Sequence, residues 1–358
     1  MKRKPTIRTL SRRRDAILAC QDLEGLAKLL GVKPHRLINL STNPQYREFY
    51  IPKKNGKKRH IEDPIQMLKR VQDYLGDFLQ AVYYFNRTKG AYGFMVRPAD
   101  DPNPRHVLSN ATLHLGAKWL LNMDMKDFFH TVKEEAVKIM FAAPLLDFPE
   151  DLCELLAGLV CYKGRLPMGA PTSPVISNLI TIPLDQDLQY LADQQEWVYS
   201  RYADDMSFSS QREIPSRMIS EVTRIVQVWG FDINPTKNKL FTPKDDDQKA
   251  VTGLLVSGTE VQLPDDYLPQ LEAAISHLSK VVDAKFLTST GRSQSTKWLN
   301  DLQQGVKGKL AFAQHILGDN HWWVNRLRGA YLDAIQPPED YGALSWLEFG
   351  YDFDFRNW

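Results

Sequence analysis

Cysteine is scarce. The chain of 358 residues holds three, Cys20, Cys153 and Cys161, with no Cys-x-x-Cys pair. That argues against a disulfide framework or a zinc knuckle and suits a reducing cytoplasm. No stretch reaches the roughly 18 consecutive apolar residues of a membrane span. The basic start, Met1-Lys2-Arg3-Lys4-Pro5, lacks the apolar core and small-residue cleavage site of a secretory signal. Internal repeats and low-complexity blocks are missing too. Nor does one sign of charge dominate: 45 Lys+Arg against 43 Asp+Glu leave +2, which taken alone argues against a polyanionic partner.

The distribution of charge says otherwise. Residues 1–70 carry 18 Lys+Arg and 6 Asp+Glu, a net +12, so the remainder carries −10. The last 23 residues hold five acids against Arg356 alone. A basic front suits phosphate contacts as readily as an ordinary solvated surface.

Hydrophobic spacing predicts helices within 11–40, with Leu18, Leu23, Leu26, Leu29 and Leu30 on one face. Residues 26–32 resemble the turn of a helix-turn-helix, but two helices packed about a glycine turn serve equally as a structural extension. A hairpin with a Lys-rich Asn-Gly turn is expected over 49–61, then a helix over 66–85 and a polar loop over 97–104. A strand at 118–125, helices at 133–142 and 150–161, a Gly/Pro loop at 163–171 and one helix over 173–193 follow. A strand pair at 197–209, a helix at 215–229, strands near 238–242 and 250–262, and a helical stretch over 265–335 complete the chain. This order reads as an α+β core with a helical C-terminal domain, in which Trp298, Trp322 and Trp323 are expected to be core residues.

Adjacent acids recur. Asp100-Asp101, Asp245-Asp246-Asp247 and Asp265-Asp266 have loop-like contexts and read as solvated. Asp204-Asp205 lies between strand formers, where two carboxylates repel each other and lose hydration, costs that a polyvalent cation relieves. In Trp119-Leu120-Leu121-Asn122-Met123-Asp124-Met125, alternation puts Leu121, Met123 and Met125 on one face and Asn122 and Asp124 on the other. Asp124 reads equally as a metal ligand or as a helix cap. One plus two carboxylates on neighbouring strands would suit a pair of Mg²⁺ ions about 3.5–4 Å apart, the arrangement for in-line phosphoryl transfer.

At Tyr202-Ala203-Asp204-Asp205 the chain resembles reverse transcriptases. An ordered set of segments over about 49–260 carries the resemblance: Asn122-Met123-Asp124-Met125-Lys126-Asp127-Phe128-Phe129, Leu166-Pro167-Met168-Gly169-Ala170-Pro171-Thr172-Ser173-Pro174 and Phe231-Asp232-Ile233-Asn234-Pro235-Thr236-Lys237. Asn110-Ala111-Thr112-Leu113-His114, Val251-Thr252-Gly253 and the wording at 169–174 are similar to retron enzymes in particular. A group II intron-like enzyme is the neighbouring alternative, and a non-catalytic RNA-binding scaffold the one from another class. Met168 stands where the family usually has Gln, which implies an apolar contact there.

The resemblance implies a right-hand polymerase with interleaved fingers and palm over 41–260, the palm mainly at 105–140 and 170–260. A basic extension over 1–40 would precede it, and a thumb over 261–336 and an acidic aromatic tail over 337–358 would follow. Asp124, Asp204 and Asp205 would hold two Mg²⁺ ions, with Mn²⁺ a possible substitute, and Lys237 would protonate the leaving pyrophosphate. Lys53 and Arg59 would clamp the triphosphate, Phe129 would exclude a 2′-OH, and Met168 and Gly169 would face the incoming nucleotide. Asn110, His114, Val251, Thr252 and Gly253, with thumb cations Lys285, Arg292, Lys297, Lys307, Lys309, Arg326 and Arg328, would hold RNA. Implied partners are a cognate structured non-coding RNA, its DNA product, deoxynucleoside triphosphates and a separately encoded effector protein, with no membrane. The implied activity is reverse transcription primed from an RNA 2′-OH, giving branched RNA-linked DNA in antiviral defence.

Overall fold

A computed structural model describes residues 4–52, 56, 58–287 and 294–336, the side chains of 246–247, 283–287 and 294–297 excepted. They fall into two compact units that divide between Thr252 and Gly253.

The first unit opens with three helices, α1 (Ile7–Leu18), α2 (Leu23–Leu30) and α3 (Pro34–Thr42). Asp22 caps α2 by accepting from the Gly25 amide at 2.7 Å, and Gly31 ends it at φ +66°. The leucines that predicted this stretch turn inward: α1 and α2 lie on a later helix, α4, and α3 lies on α8. The basic N-terminal helices are therefore built into the first unit. The expected hairpin is β1 (Tyr46–Pro52) paired antiparallel with β2 (Lys58–Pro64). Then comes α4 (Gln66–Asn86), 21 residues whose Leu68, Val71, Leu75, Leu79 and Val82 repeat at helical spacing and are buried.

Next come α5 (Val107–Thr112), β3 (Trp119–Asp124), the single turn α6 (Phe128–Thr131), α7 (Glu134–Ala142) and α8 (Glu150–Val160). The helix expected over 173–193 is two, α9 (Ser173–Ile180) and α10 (Ile182–Gln194). Pro183 is the reason: it lacks an amide to donate and its ring crowds the carbonyl four residues back. Strands β4 (Val198–Tyr202) and β5 (Asp205–Ser210), helix α11 (Arg217–Val228) and strand β6 (Lys239–Phe241) finish the sheet. Its order is β4-β5-β3-β6, antiparallel throughout.

The alternation read for β3 holds. Leu121, Met123 and Met125 join the core, while Asn122 donates to the Ala250 carbonyl at 2.7 Å and accepts from Ser207 Oγ at 2.9 Å. One expectation fails at the loop before α5. Asp101 is not solvated: its carboxylate is fully covered and takes Arg87 at 3.1 Å and the Asn103 amide at 3.0 Å. A carboxylate answered by a guanidinium and an amide has exchanged its hydration shell for fixed donors.

All three cysteines are buried and free. Burial pushes the Cys161 thiol up to about 12. No described helix is long and apolar enough to cross a membrane.

The second unit holds α12 (Tyr267–Leu287), α13 (Gln294–Leu317) and α14 (Trp322–Ile335), each packed on the other two. Its interior is made by Leu271, Ile275, Leu278, Val306, Leu310, Leu327 and Tyr331. The expectation that the tryptophans belong there is overturned for two of them: Trp298 is 55% and Trp322 59% exposed. The aliphatic stripes already fill the interior, and Trp322 is the first residue of its helix, outside them. Residues 337–358 lie outside the described residues, and with them the tail.

Candidate active site

The sheet assembles three carboxylates from two distant segments. Asp124 ends β3 and pairs in register with Asp205, which opens β5. A two-residue turn, Ala203-Asp204, joins β4 to β5 and brings Asp204 alongside, with the Asp204 carbonyl accepting from the Met125 amide at 2.9 Å. Asp124 is not a helix cap. Its backbone carbonyl accepts from Asn234 at 2.8 Å, and its carboxylate accepts from Lys237 Nζ at 2.6 Å. One carboxylate oxygen from each of Asp124, Asp204 and Asp205 lies within 4.8 Å of the others.

Partial burial and the neighbouring Asp124 raise the Asp204 pKa, against the pull of Lys237 and Arg59. Asp205 is raised as well, first by desolvation and then by Asp204 and Asp124. Burial would lower the Lys237 pKa, but the hydrogen bond to Asp124 and the three acids raise it. Three hard oxygen donors that crowd one another into taking up protons are equally ready to take up a cation, so the residues fit a divalent metal.

The Ala203-Asp204 turn is held in place by a residue that the sequence reading passed over. Arg201 on β4 is fully buried, and all five of its N–H donors are used. Nε and Nη2 hold the two oxygens of Asp185 on α10 at 2.7 and 2.8 Å, and Nη2 also reaches Thr181 Oγ1 at 2.8 Å. Nη1 donates to the Ala203 carbonyl at 2.9 Å and to Asn178 Oδ1 at 3.3 Å. Desolvation would lower the Arg201 pKa, but Asp185 outweighs it and raises it. Ala203 itself stands at φ +60°, a left-handed conformation that costs a residue with a Cβ roughly 1–3 kcal/mol and persists only where the surroundings fix it. The backbone of 90–93 backs the turn: a Cβ at Gly93 would lie 2.5 Å from the Ala203 amide nitrogen. An arginine in an apolar strand and an aspartate at a helix position otherwise inward-facing were the signals for this pair.

The other expected site residues lie on α6, on β2 and in the loop before α9. Phe129 sits on α6, its ring 5.8 Å from Phe94 and 5.5 Å from Phe128. Phe94 was not anticipated and stands at φ +58°, uncommon for a bulky residue. Arg59 is exposed on β2, close enough to Asp204 to draw its pKa down. Met168 is half-buried. Gly169 is at φ +123°, and a Cβ there would lie 2.8 Å from Ile61 Cγ2, so β2 and this loop touch only because the residue is glycine. Lys53 lies outside the described residues.

The residues expected to hold RNA are divided between the two units. Asn110, His114 and Val251 are buried. Thr252 and Gly253 are successive left-handed residues, φ +50° and +81°, where the first unit gives way to the second. In the second unit Arg326 pairs with Glu272 and lies 4.9 Å over Trp323, Lys309 is exposed, Lys307 is half-buried, and Arg328 Nε is buried without a hydrogen-bond partner. Arg292 and the side chains of Lys285 and Lys297 lie outside the described residues.

His114 bridges two strands, with its ring nitrogens 2.7 Å from Ser209 Oγ and 2.8 Å from Ser200 Oγ. Burial lowers its pKa to about 4. The folded state thus binds this proton less readily than the unfolded chain, whose histidine titrates near 6.5. Stability from this group is fully present above that value and is lost as pH falls from about 6.5 to about 4, by roughly 3 kcal/mol. Urea unfolding across that range should show the loss, and His114→Gln should flatten the acid limb; an unchanged limb would show that His114 contributes nothing to it.

With the geometry in view, the comparisons with known proteins are decisive. Residues 51–299 match the reverse transcriptase (RNA-dependent DNA polymerase) family. The chain is 30% identical over 258 residues to the retron Ec86 reverse transcriptase of Escherichia coli, an alignment spanning 70% of this chain and 76% of that one. It belongs to the retron reverse transcriptases. A second relative, the retron Mx162 reverse transcriptase of Myxococcus xanthus, is 30% identical over 308 residues, 75% of this chain and 61% of its own length. The retron Se72 reverse transcriptase of Salmonella heidelberg is 27% identical over 335 residues, covering 91% of this chain and 82% of that one. The α+β fold, with its antiparallel sheet presenting the acids at one end, is accordingly that of a right-hand polymerase.

Proposed function

We propose that the protein is an RNA-directed DNA polymerase that copies part of a cognate structured non-coding RNA. The observation that carries this is the Asp124, Asp204 and Asp205 cluster in a chain of this family. In the reaction the attacking hydroxyl oxygen bonds the α-phosphorus of a deoxynucleoside triphosphate and gives up its proton to water, the bond from the α-phosphorus to the oxygen bridging to the β-phosphate breaks, and pyrophosphate leaves. The three aspartates would hold two Mg²⁺ ions, or Mn²⁺ in substitution. When bound, the metal supplies a lowered pKa at the attacking hydroxyl and charge neutralisation at the triphosphate. Lys237, kept protonated by Asp124, would give a proton to the leaving group. Arg59, with Lys53, answers triphosphate charge.

In this reading 41–260 form the fingers and palm and 261–336 the thumb, whose cations meet the RNA by backbone and shape. Synthesis begins from an RNA 2′-OH and yields branched RNA-linked single-stranded DNA, acting in the cytoplasm in antiviral defence beside a separately encoded effector. The test is to sequence nucleic acid that co-purifies with the protein. Short single-stranded DNA joined to a structured RNA is the expected finding; RNA alone, together with no incorporation of deoxynucleotides on an RNA template, would favour a scaffold.

Phe129 supplies a further prediction. A ring beneath the sugar leaves no room for a 2′-OH, so Phe129→Ala should admit ribonucleotides and lower the deoxy-to-ribo ratio of kcat/KM by about 100-fold. Unchanged sugar selection in single-nucleotide extension would remove Phe129 from that role.

A further inference from the structure

Glu62 lies on β2 and its carboxylate is fully covered. Four donors converge on it. Arg165 Nη1 and Nη2 each approach Oε1 at 3.1 Å, His130 Nε2 is 3.1 Å from Oε2, and the Met168 amide donates to Oε2 at 3.4 Å. Its own amide donates to the Met168 carbonyl at 2.7 Å. The partner strand repeats the pattern: Glu48, opposite Glu62, takes Lys163 Nζ at 2.7 Å, Tyr162 Oη at 3.0 Å and His60 Nε2 at 3.0 Å. Oxygen and nitrogen atoms of Glu48, His60 and Glu62 lie close enough together for a metal, but each acid already has its own cation, Lys163 or Arg165. The cluster is therefore a strut between the hairpin and the 162–168 segment.

What the strut joins matters more than its strength. β2 carries Arg59, His130 adjoins Phe129 on α6, and the Met168 amide belongs to the loop carrying Met168 and Gly169. Three segments far apart in sequence meet on one buried carboxylate. The geometry points to Glu62 as a positioning residue for the incoming deoxynucleoside triphosphate, fixing the triphosphate-facing, sugar-facing and base-facing segments relative to one another. This rests on the polymerase reading above, since it is the nucleotide that would touch all three.

Glu62→Gln keeps the shape and an acceptor oxygen but loses the charge that holds Arg165. With a poly(rA) template, an oligo(dT) primer and dTTP, KM should rise about tenfold, the loss of one charge-assisted hydrogen bond, while kcat falls less and primer–template affinity is unchanged. Discrimination against UTP should fall, because His130 on α6 then meets a neutral amide in place of the carboxylate. Arg165→Lys keeps the charge but not the fork and should shift KM in the same direction by less. The KM of the double variant should rise by less than the product of the two single effects, as for residues acting as one unit. A purely structural role would instead lower melting temperature and primer–template affinity together with kcat. That result, or an unchanged KM in variants that still polymerise, overturns the assignment; if Glu62→Gln does not fold, Arg165→Lys decides on the same criteria. Absence of RNA-templated synthesis by the wild-type protein is a separate outcome and removes the polymerase reading and this inference together.

Discussion

Asp204→Asn should lower DNA synthesis on an RNA template by about 1,000-fold or more, on the order of 4 kcal/mol of barrier, while RNA binding persists. The substitution keeps the size of the side chain but removes one of three charges whose oxygens crowd within 4.8 Å. Burial first and then the neighbouring Asp124 raise the Asp204 pKa, so when no cation is present the charged form is disfavoured and the variant should be no less stable than the wild type in chelator. Divalent cation should raise the wild-type melting temperature by ligand linkage and do so much less in the variant. The second readout separates loss of the metal seat from loss of the fold. Full synthesis by the variant, or an equal cation-induced shift in both proteins, would sink the site assignment.

Arg201→Met should destabilise the protein by about 3–5 kcal/mol, because it strands the buried Asp185 carboxylate without its partner. The same change removes the donors to Ala203, Asn178 and Thr181, so the Ala203-Asp204 turn loses its support even where the protein still folds. Asp185→Asn should cost less, since an amide oxygen still accepts from Arg201. Denaturant unfolding measures the first effect, and activity per folded molecule the second. A cost under about 1 kcal/mol for Arg201→Met would mean that water or a rearranged side chain replaces the pair.

The contrast between these two predictions marks how far the sequence was legible. Asp124, Asp204 and Asp205 announced themselves because acids interrupt apolar strands, and alternation alone put Asp124 on the face opposite Met123. The Arg201–Asp185 pair did not, because its partners lie on different elements and no local period links residue 185 to residue 201. Glu62 was hidden in the same way: within its own strand it is one more charged residue beside a basic turn, and only the approach of α6 and the 162–168 segment buries it. Asp101 was misread for a related reason, since a polar loop composition does not reveal that an arginine from the end of α4 will cover one of its acids. The break at Thr181, by contrast, was local chemistry, a proline two residues on. Trp298 and Trp322 were misplaced because hydrophobic spacing counts apolar residues without knowing that smaller ones already fill the bundle.

The wiring of the Ala203-Asp204 turn also sets a schedule for the growing polypeptide. Asp124 leaves the ribosome 80 residues ahead of Asp204, and the groups that fix Ala203 come from positions 93, 178, 181, 185 and 201. Until β4 and β5 have been made and docked, Asp124 stands at the end of an unpaired strand, with neither Asp204 nor Asp205 beside it. Closing loops of this length precedes any reward from the contacts they bring together. Competence therefore waits for residue 205, and a fragment released before it lacks at least one of the three acids.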